Sequence, residues 1–322
     1  MTQRRVLVTG AGGYLGRQLV GRLADLEGQA RPACIVAHDI REPQERLAGV
    51  AYEVADIRSP AISELIARHS IDCVVHLACI VTPGKNSRRE FEYDVDVNGT
   101  RNVLQACVRR GVRRIVLSSS GAAYGYHADN AAWLTEDMVL RGNEAFAYSH
   151  HKRLVEGMLA DYRQQHPALE QVVLRIGTIL GATVRNQITD MFDKPRPLAI
   201  AGADSPFVFI WDQDVVAILM RAIDAGPPGV FNVAGDGALT IHEIAQRMGK
   251  RCRVLPAWLL KSALALLKPL GLTQYGPEQI DFLRYRPVLL NTRLKTGFGY
   301  VPQLTSLQVF DLYWAARNRV LR

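Results

Sequence analysis

Cysteine is sparse and badly spaced for chemistry. The five residues, at positions 34, 73, 79, 107 and 252, form no CxxC or CxxH pair. That spacing argues against a zinc site and against a disulfide framework, so no metal is expected. Long apolar runs are also lacking. The most apolar window, "PAWLLKSALALLKPLG", is cut by Lys261 and Lys268 and is too short to span a bilayer. It reads as an amphipathic helix. The opening "MTQRRVLVTG" enters a strand pattern at once and leaves no room for a signal peptide. A reduced, cytoplasmic chain is expected. Lysine and arginine exceed aspartate and glutamate by 39 to 31, a net charge of +8. The excess is dispersed in doublets such as Arg109-Arg110, without an aromatic-interleaved basic stripe, so nucleic acid is not an expected partner. Anionic small molecules account for it equally well. Repeats and low-complexity segments are absent.

What is present is a rhythm. At 48% hydrophobic residues the chain can bury a large core. "RRVLVTG", "RPACIVAHD", "IDCVVHLA" and "RRIVLSSS" are near-continuous apolar runs, as in parallel strands covered on both faces. Amphipathic segments such as "RSPAISELIARHS" and "EFEYDVDVNGTRNVLQACVRRG" lie between them, and Gly111 stops the second. The alternation predicts an α/β fold with a doubly wound parallel sheet, the Rossmann fold. After about residue 180 the rhythm loosens into turn-rich sequence. Residues 1–180 are therefore expected to form the dinucleotide-type domain. Residues 181–322 are expected to form a smaller substrate-binding lobe, with segments near 207–240 returning to the core.

"VLVTGAGGYLGRQLV" places Gly10, Gly13 and Gly16 three apart, between a strand and a helix. Gly10 permits the tight turn, Gly13 lets backbone approach a pyrophosphate, and Gly16 allows close helix–strand packing. The helix N-terminus then offers N–H donors to the phosphates. Asp39 ends the second strand, where a carboxylate takes both ribose hydroxyls and repels a 2′-phosphate, which favours NAD over NADP. Arg41, two residues on, can instead pair with a 2′-phosphate. Asp56 in "VADIRS" has two readings, acceptor for an adenine amino group or cap of the helix near Ser59.

The segment "AYSHHKRLVEG" sets Tyr148 and Lys152 four apart, hence on one helix face, while His150 and His151 point about 100° apart. The tyrosine and lysine can act on one substrate atom. The histidines have no partner pattern for metal or nucleophile work, and packing and solvation are their expected roles.

In this order and spacing the motifs resemble the extended short-chain dehydrogenases/reductases, the NAD-dependent epimerase/dehydratase family. "TGAGGYLG" is similar to TGxxGxxG, "VVHLAC" to HxAA, "LSSSGAAYG" to SSxxxYG and "YSHHK" to YxxxK. The resemblance implies NAD as cofactor, held by Gly10, Gly13, Tyr14, Leu15, Gly16, Asp39, Asp56, Ile57, Leu77 and Ala78. It implies Ser120, Tyr148 and Lys152 as the catalytic set. A phenol is a poor base at neutral pH, and a lysine ammonium one turn away is expected to lower its pKa. Ser120 would donate to the developing alkoxide or carbonyl oxygen. The resemblance further implies a small-molecule substrate and a homodimer built from the helices containing "VDVNGTRNVL" and "YSHHKRLVEG".

Several positions depart from the pattern. Thr178 stands where many sugar-nucleotide members have Asn, and Ser205 where many have a diphosphate-clamping Arg. Arg286 resembles a second diphosphate-binding arginine, and Arg175 is retained, so Thr178 and Arg286 are the expected substrate contacts. Gly121 and Ala122 replace the acidic pair of dehydratases, which disfavours elimination of water. Asp96 replaces a usual Asn. Lys85, Arg88 and Arg89 either attract an anion or belong to a solvated loop. The window from Pro256 resembles apolar lids of hydroxysteroid-dehydrogenase-like members, against a helix packed on the lobe. Three functions follow: hydride transfer on a sugar or sugar nucleotide, the same chemistry on a hydrophobic alcohol, or a non-catalytic NAD sensor.

Overall fold

In a computed structural model, residues 4–82, 84, 87–273 and 276–320 are described; Lys85 lies outside them. The first half supplies six strands, β1 (Arg5–Thr9), β2 (Cys34–Asp39), β3 (Ala51–Val54), β4 (Cys73–His76), β5 (Arg114–Ser120) and β6 (Glu170–Ile176). The second supplies β7 (Thr178–Leu180), β8 (Leu198–Ile200), β9 (Phe209–Trp211), β10 (Gly229–Val233) and β11 (Arg253–Leu255). Seven of these form one parallel sheet in the order β10-β6-β5-β4-β1-β2-β3. Val6, Leu7, Val8, Val74, Val75, Ile115 and Val116 have no exposed surface. Each such side chain contributes about 1.5–3 kcal/mol when withdrawn from water. Strands buried on both faces need helices on both sides, and the βαβ connections supply them.

The order reverses between β1 and β4, and a crevice opens there beyond the strand ends. Helix α1 (Tyr14–Ala24) follows β1, and α2 (Ala61–Arg68) follows β3. Next come α3 (Arg89–Tyr93), a π-helical stretch Asp94–Gly99, and α4 (Thr100–Arg109) as one continuous rod. Gly111, at φ +67°, stops it. Helix α5 (Ala147–Gln165) carries the Tyr-Lys pair.

The apolar run "EQVVLRIGTIL" breaks at Gly177 into β6, in the main sheet, and β7, which pairs with β9. Helix α6 (Gln187–Asp193) follows, and α7 (Asp212–Asp224) packs on α1. β10 then joins the main sheet as its edge strand. A second core forms around Phe192, Phe207, Phe209 and Phe310, with α8 (Ile241–Arg247) and α11 (Ser306–Val320) over it. Helices α9 (Ala257–Leu267) and α10 (Gln279–Arg284) lie between. Helix α9, expected as a lid or as a helix packed on the lobe, lies against α10 with one side half-buried and none of its residues fully buried.

One ion pair fastens the two layers at the crevice. Arg175 of β6 meets Glu156 of α5 at 2.8 Å, and both side chains are buried. The same guanidinium donates to the Tyr124 hydroxyl at 2.7 Å and the Glu136 carbonyl at 3.0 Å. Ser119 of β5 donates to Glu156. Arg175 thus commits four of its five N–H donors to protein partners and is buried, which leaves little of it for a substrate diphosphate. Replacing Arg175 with Met should cost about 3–5 kcal/mol, because Glu156 would be left charged and buried. Urea unfolding should show a midpoint drop that the Arg175→Met, Glu156→Leu pair largely reverses.

Candidate active site

The crevice is a cleft of about 490 Å³ with the glycine loop at one end and the Tyr-Lys helix along its floor. Gly10 has φ +73°, and a Cβ there would fall 2.7 Å from the Ala78 backbone nitrogen. A side chain on Gly16 would lie 2.3 Å from the Gly10 carbonyl. These contacts bring β1, β4 and α1 together so closely that only backbone faces the cleft. Helix α1 begins behind Gly13 with no capping side chain and no acid in its first turn. Its free N–H groups, beside Gly10, Gly13, Tyr14, Leu15 and Gly16 in the cleft wall, fit a pyrophosphate.

The adenosine-side residues sit differently. Asp39 accepts from the Gly12 and Arg41 amides at 2.9 and 3.2 Å and lines an adjoining cleft of about 420 Å³. Arg41 lies beside it, 3.6 Å away and mostly exposed. Asp56 is gripped through both carboxylate oxygens by Arg58, which also reaches Asp94 at 2.6 Å. Helix α2 has no side-chain cap, so Asp56 is not its cap. Ile57 is buried against Gly99. Leu77 lines the main cleft, and Ala78 backs Gly10. Arg88 is exposed, and Arg89 is held by the Glu144 carbonyl.

Ser120, Tyr148 and Lys152 converge on the cleft floor. Ser120 ends β5; its hydroxyl accepts from the Ala122 amide at 3.1 Å and lies close enough to Tyr148 to favour the phenolate. Lys152 donates to the Ser118 carbonyl at 2.9 Å, with its ammonium 5.5 Å from the Tyr148 ring. The phenol pKa is raised, not lowered: burial pushes it up, and Lys152 and Ser120 only partly pull it back. Burial likewise works against the Lys152 ammonium, but Cys79, Tyr148 and Asp96 outweigh it and raise that pKa. Tyr148 is therefore a proton donor at neutral pH, and the lysine stays charged.

Two neighbours escaped the sequence reading. His151, expected to pack or be solvated, is buried, and its Nδ1 lies 3.0 Å from the Asp96 carboxylate. The other Asp96 oxygen accepts from the Ile80 amide at 2.8 Å. Asp96 sits in the π-helical turn, so the residue that replaces a usual Asn and His151 of YSHHK meet across the wall behind Lys152. The one sequence signal was the Asp at position 96. His76, beside Thr9 and Thr100 at 2.7 and 3.0 Å, is kept neutral, its pKa pushed down to about 3 by burial and by Lys152.

The far end is aromatic. Tyr126, Phe146 and Phe282 form a cluster with centroids 5.1–5.8 Å apart. Arg286 is stacked between Phe207 and Phe282, 3.9 and 4.3 Å from their centroids. Its Nε is buried with no partner among the described residues, and burial pushes its pKa down to about 9. Thr178 lines the cleft. Ser205, buried, donates to the Leu283 carbonyl. The clamp position is thus used to hold the last turn of α10.

A glycine-lined switch-point crevice with a serine, tyrosine and lysine on its floor defines a nicotinamide-dependent enzyme of the short-chain dehydrogenase type. The chain belongs to the NAD dependent epimerase/dehydratase family, whose model matches residues 6–234. An uncharacterized protein of Mycobacterium tuberculosis is 28% identical over 97% of this chain and 84% of its own length. Sterol demethylase protein B of Methylococcus capsulatus is 28% identical over 97% of this chain and 98% of its own. Among solved structures, a Thermotoga maritima UDP-glucose 4-epimerase with UDP-glucose superposes with a TM-score of 0.75. It has 17% identity and covers 99% of this chain and 100% of its own.

Tyr148→Phe should lower turnover by roughly a hundredfold or more while NAD affinity, followed by calorimetry, stays within a fewfold. Asp96→Asn removes a negative charge that raises the Tyr148 pKa. The pH at which alcohol oxidation switches on should therefore move down in that variant. An unmoved pH–rate profile would show that Asp96 has no electrostatic hold on Tyr148.

Proposed function

We propose that the chain transfers hydride at a secondary alcohol or ketone of a substrate with an apolar body and an anionic group. The carrying observation is the make-up of the cleft beyond the floor. Val81, Tyr126, Phe146, Phe207, Val208 and Leu289 wall it, and Lys152, Arg185 and Arg286 are its only charged residues among those described. A free sugar ring, with a hydroxyl on nearly every carbon, would leave most of those groups without partners against such a wall. The name sterol demethylase, borne by a relative aligned end to end, supports an apolar substrate.

When bound, NAD accepts or returns the hydride. Tyr148 takes the hydroxyl proton in oxidation and gives it back in reduction, with Lys152 holding the phenolate against the cost of burial. Ser120 hydrogen-bonds the reacting oxygen. The Arg286 guanidinium, covered on both faces by rings, offers only its edge, the geometry of a two-point grip on a carboxylate or phosphate. Among the described residues the cleft also has no carboxylic acid to stand in for the acidic pair of the dehydratases.

A second reading, a sugar-nucleotide substrate, draws on Arg286 and on the likeness to sugar-nucleotide enzymes such as the UDP-glucose 4-epimerase. Asp39 supports NAD over NADP. The retained catalytic set speaks against a pure sensor. Half-buried Leu154 and Met158 along α5 support a homodimer through α4 and α5, which sedimentation as a monomer at micromolar concentration would overturn.

The first test is to denature the purified protein and identify released nucleotide, then to follow NADH formation on hydroxysteroids and apolar hydroxy acids, and both NADH formation and inversion of the sugar on UDP-sugars, since epimerisation returns its hydride and releases no NADH. Activity confined to UDP-sugars would replace this reading with the second. With the true substrate, Arg286→Met should raise KM about tenfold or more and leave kcat within a fewfold.

A further inference from the structure

Helix α9 is apolar on the side that faces water. Ala257, Leu260, Lys261 and Leu264 are half-buried toward the protein, while Trp258, Leu259, Ala265 and Leu266 face out. Trp258 and Leu266 are 69% and 71% exposed, and Leu270 and Leu272 just beyond are 69% and 70% exposed. Isolated exposed leucines are ordinary, but this contiguous set on one short segment is not. The helix is tethered by ion pairs from Lys261 to Asp281 at 3.0 Å and from Lys268 to Glu278 at 3.1 Å. It rides on α10, which sends Phe282 into the cleft.

Charge selects among the partners such a face can take. From Ile244 to Pro277 the chain carries Arg247, Lys250, Arg251, Arg253, Lys261 and Lys268 and no acidic residue. Arg247, Lys261 and Lys268 are paired, and Lys250 holds the Phe192 and Lys194 carbonyls. Arg251 and Arg253 are exposed. An outward apolar strip with a tryptophan and flanking unpaired arginines matches the boundary between acyl chains and anionic headgroups. A second copy of the chain fits less well. The strip is roughly 17 Å long and about 10 Å wide, far below the roughly 800 Å² per partner of a stable interface. No helix among the described residues is long and apolar enough to cross a membrane, so the contact is one of lying on the surface.

We propose that α9 and the turn after it dock the protein onto an anionic lipid surface. The inference rests on this surface alone and holds whichever substrate the cleft takes. The test is co-sedimentation of the full chain with vesicles of phosphatidylcholine alone and of phosphatidylcholine with phosphatidylglycerol. Binding should be stronger by about tenfold or more on the anionic vesicles and should weaken with salt. The Trp258→Ser, Leu266→Glu pair should abolish it, with catalytic activity in solution unchanged. Arg251→Glu with Arg253→Glu should reduce it on anionic vesicles only. Three results would overturn the proposal: no vesicle binding, equal binding by the Trp258/Leu266 variant, or conversion of an oligomer to a monomer by that variant, which would assign the strip to a second copy.

Discussion

The catalytic geometry hangs on the buried contact between Arg175 and Glu156. Tyr148, Lys152 and Glu156 follow one another at four-residue intervals on α5, so one helix face carries both the chemistry and its anchor. Glu156 receives the Arg175 guanidinium from β6 and the Ser119 hydroxyl from β5, the residue next to Ser120. Rotation of the helix would separate Tyr148 from Ser120 and strip Glu156 of its donors together. Burying two charges is costly, and an apolar pair of the same shape would hold a helix at least as firmly. What the ion pair adds is direction, since a bidentate contact tolerates little rotation whereas leucines tolerate more.

The floor of the cleft is a balance of opposed effects. Burial alone would keep Tyr148 protonated and would discharge Lys152. The lysine counters the first tendency, and Asp96 with Cys79 counters the second. Asp96 acts on both, raising the lysine and the tyrosine, so it strengthens the ammonium at some cost to the phenolate. His151 stands on its other side. The Asn-to-Asp departure thus moves the acid–base set toward proton donation, the direction that reduction needs.

The parts legible in the sequence are those that local geometry writes. The glycine loop is readable because a tight turn and a close helix leave no room for Cβ at Gly10 and Gly16. Tyr148 and Lys152 are readable because four residues is one helical turn. The strand rhythm is readable because parallel strands are apolar on both faces. Partners far apart in the chain are not readable in this way. Arg175 was legible only as a retained position, because Glu156 and Glu136, which occupy it, meet it only in three dimensions. His151 looked idle because Asp96 lies 55 positions away. The apolar content of α9 was plain, but which side of it faces water depends on α10.

Two arginines make the distinction between scaffold and site concrete. Arg175 and Arg286 both sit against aromatic rings, and of the two only Arg286 was expected to contact substrate. Arg175 lies 4.8 Å from the Tyr124 ring and spends its donors on Glu156, Tyr124 and the Glu136 carbonyl. Its charge is answered within the fold. Arg286 has rings on both faces, a buried Nε without a partner, and no ion pair among those described. Its depressed pKa measures that deficit. A fold that tolerates an uncompensated guanidinium in its cleft wall does so at a cost in stability, and an incoming anion removes that cost on binding. On the proposed reading, the same deficit would add to affinity for a negatively charged substrate and discriminate against a neutral one.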